Sequence, residues 1–122
     1  MTTQFELAPD VDAIGEARAH VRESLTAVLD AETLACAELV VSELVTNSIR
    51  YGPGKPICLR LTTDQASARV VGEVEDQGDG VVAIRHPDVD SPAGGLGLTI
   101  VEQLTSAWGV YPGSTHVWFR FD

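Results

Sequence analysis

Along this chain the apolar and polar positions change period several times, and each change marks an element. Thr3 to Leu7 alternate moderately, which predicts a strand, and Pro9-Asp10-Val11-Asp12 follows with turn and cap residues. From Ala13 to Leu29, Ile14, Ala17, Val21, Leu25 and Val28 recur at helical steps, while Arg18, Arg22 and Glu23 face elsewhere. Asp30 stands where it can cap a second helix from about Ala31 to Tyr51. In that helix Leu34, Ala37, Val41, Leu44, Val45 and Ser48 form one apolar stripe. Gly52-Pro53-Gly54-Lys55-Pro56 then forbids continuation, with Gly52 as the stop.

In the second half, Ile57 to Thr63 and Ala66 to Glu75 read as two strands joined at Asp64-Gln65, an antiparallel hairpin. Asp76-Gln77-Gly78-Asp79-Gly80 ends the second of them. Val81 to Ala93 has two prolines and no clear period, so it reads as a loop. Gly94-Gly95-Leu96-Gly97-Leu98 opens a third helix through about Ala107, with Ile100, Val101 and Leu104 inward. Trp108 to Tyr111 and Thr115 to Phe121 are strands about a Pro112-Gly113-Ser114 turn. This order predicts an α+β fold. It is a two-layer sandwich with three helices on one face of a mixed, mostly antiparallel sheet, and residues 1–122 form a single domain.

Composition narrows the function classes. The net charge is −10 with one lysine, Lys55, which argues against nucleic acid as a direct partner and against anionic membrane surfaces. Basic protein surfaces remain suitable partners, and a nucleotide can still bind through backbone N–H groups and Mg²⁺. No apolar run approaches the roughly 18 residues of a membrane helix, and no signal peptide is visible, so the expectation is cytoplasmic. Cys36 and Cys58 lie far apart in apolar contexts and read as reduced, buried, inert thiols.

Three stretches carry candidate chemistry. Glu43 and Asn47 are four apart on the second helix, so they share a face roughly opposite the apolar stripe, flanked by Leu39 and Val40. A carboxylate and an amide held together there suit work on a metal or a proton; a surface Glu and a late-helix Asn are the plain alternative. Asp76-Gln77-Gly78-Asp79-Gly80 places a carboxylate at a strand end among glycines that let backbone approach a ligand, and it equally fits an ordinary turn. Half a calcium loop is a further alternative, but its bidentate Glu is absent. Gly94 to Leu98 precedes a helix, whose free N–H groups favour anions, although such loops also serve as hinges.

In this order, Ser42 to Gly52, Glu75 to Gly80 and Gly95 to Val101 together resemble the Bergerat-fold ATP-binding family of gyrases and histidine kinases. Within it the chain resembles the small anti-sigma factor serine/threonine kinases, from about Phe5 to Phe121. Thr115-His116-Val117-Trp118-Phe119 resembles the family's last strand. The resemblance implies that Asn47 binds Mg²⁺ and that Glu43, the catalytic candidate, orients or deprotonates the attacking group. Asp76 would hydrogen-bond the adenine amino group in a pocket shaped by Gly78 and Gly80. Gly95, Leu96, Gly97 and Leu98 would border the phosphates, and Thr115 joins the ATP-binding set.

Two departures stand out. Tyr51 occupies a position where small anti-sigma kinases usually carry His, and Val81 to Ala93 is short for a lid, leaving Arg85 and His86 as its γ-phosphate candidates. The implied partners are a sigma factor and a small antagonist protein; small relatives commonly dimerise, so the resemblance also implies a homodimer. A nucleotide-gated binding module without kinase activity is the alternative of a different class. A detached histidine-kinase catalytic domain ranks below both, because the chain shows no dimerisation helix and no phospho-acceptor segment.

Overall fold

The computed structural model describes residues 1–78 and 96–122. Its elements are β1 (Thr2–Leu7), α1 (Asp12–Leu25), α2 (Ala31–Tyr51), β2 (Ile57–Asp64), β3 (Arg69–Glu75), α3 (Leu96–Leu104), β4 (Ala107–Val110) and β5 (Val117–Phe121). The strands form one sheet in the order β1-β2-β3-β5-β4, with β3 in the middle. All four pairings are antiparallel, so the sheet is antiparallel throughout where a mixed one was expected.

Period-two alternation divides the sheet into two faces. Leu7, Ile57, Leu59, Leu61, Val70, Val74, Val117, Phe119 and Phe121 are buried on the face that meets the helices. Cross-strand rows such as Phe5–Leu59–Val74–Val117 make that face continuous. Gly72 sits opposite Phe119, and a Cβ there would lie 2.0 Å from the ring's Cζ. The missing side chain makes room for the ring, which is wholly buried. On the other face, Glu73 lies 3.4 Å from Arg60 and 2.9 Å from His116 Nε2. There the charge of Glu73 pushes the Tyr111 phenol up, and burial pushes the Cys58 thiol up.

Helix α1 buries Ala13, Ala17, Val21 and Leu25, and α2 buries Ala37, Val40, Val41, Ser42, Leu44, Val45 and Ser48. Most are the periodic positions, but Ile14 and Leu34 are only partly buried, while Ala13 and the flanking Val40 are fully buried. The Asp30 carboxylate caps α2 by accepting from Thr33 N at 2.7 Å, and that bond holds its pKa down. Several boundaries differ from the periodic reading, and three have a clear local cause. Helix α1 stops at Leu25, where the Thr26 hydroxyl donates to the Arg22 carbonyl and the chain tightens into turns. Strand β3 begins at Arg69, because Asp64 Oδ1 accepts from Ala66 N at 3.1 Å and Ala68 takes a φ of 54°. Helix α3 stops at Leu104 because Ser106 N already donates to Arg120 O at 2.8 Å, which draws the chain into β4.

Among the described residues, no helix is long and apolar enough to cross a membrane.

Candidate functional site

The site forms at one end of the sheet, where β3 ends, β5 begins and α2 terminates. Asp76 follows the last residue of β3 and is 6% exposed, a buried carboxylate that requires partners. Its Oδ1 accepts from Gly78 N at 3.0 Å and from the Thr115 hydroxyl. Thr115 Oγ1 also lies 3.2 Å from Gly78 O. Thr115 therefore joins the site by its side chain. It precedes the strand, which starts at Val117, two residues later than the alternation suggests.

Gly78 is small for a reason visible here: a Cβ would lie 2.8 Å from Thr115 Oγ1 and 3.0 Å from Asp76 Oδ1. The two hydrogen bonds to Oδ1 and the tight turn form as one unit. Asp76 Oδ2 points toward the end of α2, where a Cβ on Gly52 would be 3.1 Å away. Oδ1 is thus engaged by two donors while Oδ2 keeps its acceptor capacity for a group brought from outside.

Helix α2 supplies the other half of the site. Arg22 of α1 meets Glu38 at 2.7 Å, which places α1 on the Glu38 flank. At about 100° per residue, the Glu43–Asn47 flank is turned roughly 140–180° from Glu38. Helix α3 packs on that opposite side, since Cys36 of α2 and Leu104 of α3 line one cleft there. The start of α2 (Thr33, Cys36) shares that cleft with the end of α3 (Leu104), so Glu43 and Asn47, farther along α2 on the same flank, lie toward the start of α3. Both are half-buried, at the edge of the apolar stripe and not on an open face.

Of the remaining candidates, Leu96 and Gly97 are the first two residues of α3. Leu98 is 5% exposed and its side chain belongs to the hydrophobic core, so only its backbone is suited to a phosphate. Gly80, Gly95, Arg85, His86 and the loop Val81 to Ala93 lie outside the described residues. Tyr51 is half-exposed at the last position of α2.

Two residues gain a place that periodicity did not give them. Gly52 caps α2 with φ −77° and ψ 174°, an extended backbone open to any residue, so its role is spatial and not that of a left-handed stop. Gln77 takes a φ of 65° and donates from Nε2 to Pro56 O at 2.9 Å. Both lie inside stretches singled out in sequence, but nothing local signals the contacts they make here.

The fold is an α+β sandwich of three helices on an antiparallel sheet, with a buried carboxylate at the end of the middle strand and a carboxylate–amide pair on the flank of α2. Residues 7–121 match the family model described as histidine kinase-like ATPase domain, and the chain belongs to that family. No curated protein matches the chain.

Proposed function

We propose that this protein binds Mg-ATP and acts as an anti-sigma factor with serine/threonine kinase activity, phosphorylating a small antagonist protein in a partner switch. The observation that carries the nucleotide part is the arrangement at Asp76. One carboxylate oxygen is saturated by Gly78 N and Thr115, and the other remains an acceptor beside backbone that has no side chain. This free acceptor fits an exocyclic amino group, a donor, such as that of adenine. Family membership supports ATP as the ligand.

Among the described residues, no cluster of three His, Cys, Asp or Glu side chains is placed to hold a metal. Asn47 would give Mg²⁺ one protein oxygen, with phosphate oxygens and water completing its shell, which is the usual way this ion is held in such sites. The ion supplies charge neutralisation at the phosphates. Glu43, one turn before Asn47 on the same flank, would orient an acceptor hydroxyl and accept its proton. The sigma factor and antagonist come from the resemblance, and the net charge of −10 favours basic protein surfaces over nucleic acid.

The test is ATP titration by calorimetry beside labelled phosphate transfer to candidate antagonist proteins. Asn47→Ala is expected to lose both binding and transfer. Glu43→Gln is expected to keep ATP and lose transfer by about 10²–10⁴-fold. Equal loss of ATP binding in the two variants would sink this division of labour. Binding without transfer in the wild type would leave a nucleotide-gated binding module.

A further inference from the structure

We propose that the loop between α2 and β2 is the specificity wall of the base pocket, with Gly52 and Gln77 as positioning residues that decide how Asp76 presents its free oxygen. This rests on the nucleotide reading above and adds two residues and a selectivity to it.

The loop touches the Asp76–Gly78 segment at both of its ends. At its start, Gly52 N donates to Ser48 O at 2.9 Å and closes the helix. A Cβ on Gly52 would stand 2.3 Å from Ser48 O, 3.1 Å from Asp76 Oδ2 and 3.3 Å from Asp76 Cγ. The first of these is a backbone atom in a hydrogen-bonded turn, so it cannot swing aside as the tip of a side chain would. Any side chain at 52 must therefore displace the end of α2, the carboxylate, or both. Because the backbone at 52 is extended, conformational freedom does not explain a glycine there; the clash with Ser48 O does, and the closeness of Oδ2 means that any shift relieving it bears on the carboxylate.

At its far end the loop is tied by Gln77. A left-handed φ of 65° is unfavourable for a residue with a side chain, yet Gln77 adopts it between the carboxylate and the N–H that serves it. Its side-chain amide donates to Pro56 O at 2.9 Å, across a separation of 21 residues. That bond rewards the strained backbone and fixes the turn that aims Gly78 N at Oδ1. With Oδ1 held from one side and Gly52 lying flat against the other, Oδ2 has one presentation: an acceptor facing a donor on the ligand. A purine with an amino group at position 6 satisfies it. A purine with a carbonyl there sets two acceptors against each other and leaves Oδ2 without a donor from the ligand.

The experiment compares Mg-ATP and Mg-ITP affinities by calorimetry for wild type, Gly52→Ala, Gln77→Glu and Gln77→Gly. Wild type is expected to prefer ATP by at least about tenfold. Gln77→Glu keeps the shape and removes the donor. Gln77→Gly keeps the backbone angle and removes the bond. Both are expected to cut the ATP-to-ITP ratio by roughly three- to tenfold through weaker ATP binding, with ITP affinity nearly unchanged. Gly52→Ala is expected to do the same or more; the exposed Gln77 carries the test if Gly52→Ala does not fold. Equal weakening of both nucleotides would mark these residues as merely structural and overturn the proposal, as would a ratio that stays at the wild-type value. Wild type that binds ATP and ITP alike would overturn the specificity wall while sparing nucleotide binding; wild type that binds neither would bring down the nucleotide reading and the proposal together.

Discussion

Replacing Asp76 by Asn tests the nucleotide reading at its most determined atom. The change is nearly isosteric, so the buried site need not repack. The structure decides which way the new amide turns. Gly78 N donates to Oδ1 at 3.0 Å, and a backbone N–H has no acceptor role to offer. The amide oxygen must therefore take the Oδ1 place, and the NH₂ group must take the Oδ2 place beside Gly52. An acceptor that met the 6-amino group becomes a donor that opposes it. Losing a hydrogen bond to a charged, buried group costs roughly 1.5–3 kcal/mol, about ten- to a hundredfold in ATP affinity. The same NH₂ would suit a 6-carbonyl, so ITP should gain on ATP and the preference should narrow or reverse. Calorimetric titration of both nucleotides with Mg²⁺, beside thermal melts that check folding, measures this. ATP affinity within about threefold of wild type, or equal losses for ATP and ITP in a folded variant, would refute the assignment of Asp76 to the base.

Two further outcomes test the frame that holds the site. Gly72→Ala places a methyl 2.0 Å from the buried Phe119 ring, and overpacking of this kind costs about 1–3 kcal/mol, partly offset by about 0.4–1 kcal/mol from a stiffer unfolded chain. Its melting temperature should fall, and adding Phe119→Leu should recover part of the loss; a Gly72→Ala melt at or above wild type would disprove the close contact. Asp30→Ala removes the α2 cap. Because the folded carboxylate titrates below its ordinary 3.8, its stabilisation is present above that value and is lost as pH falls through the lower folded value. The melting gap between wild type and Asp30→Ala should be constant from pH 5 to 7 and shrink toward pH 2; a gap that widens on acidification would reverse the sign and sink the capping account.

The sequence by itself determined the element types, because they follow from local periodicity. Four-residue spacing of Ala13, Ala17, Val21 and Leu25 makes a helix with one buried side, and alternation through Ile57, Leu59 and Leu61 makes a strand with one buried face. Asp30 and the Gly52-Pro53 pair bounded α2 through chemistry that acts within a few residues. Spacing also put Glu43 and Asn47 on one flank, and motif order pointed to Asp76 and Gly78. Tertiary structure decided the rest. Helix α3 ends where Ser106 is claimed by Arg120 across the sheet. Thr115 leaves its strand to serve Asp76, Leu98 turns into the core, and all four strand pairings among the described residues are antiparallel. Gly52 and Gln77 acquired their places only when segments distant in sequence met. A clash with a carboxylate or a hydrogen bond across 21 residues is a property of packing, on which local propensity has no purchase.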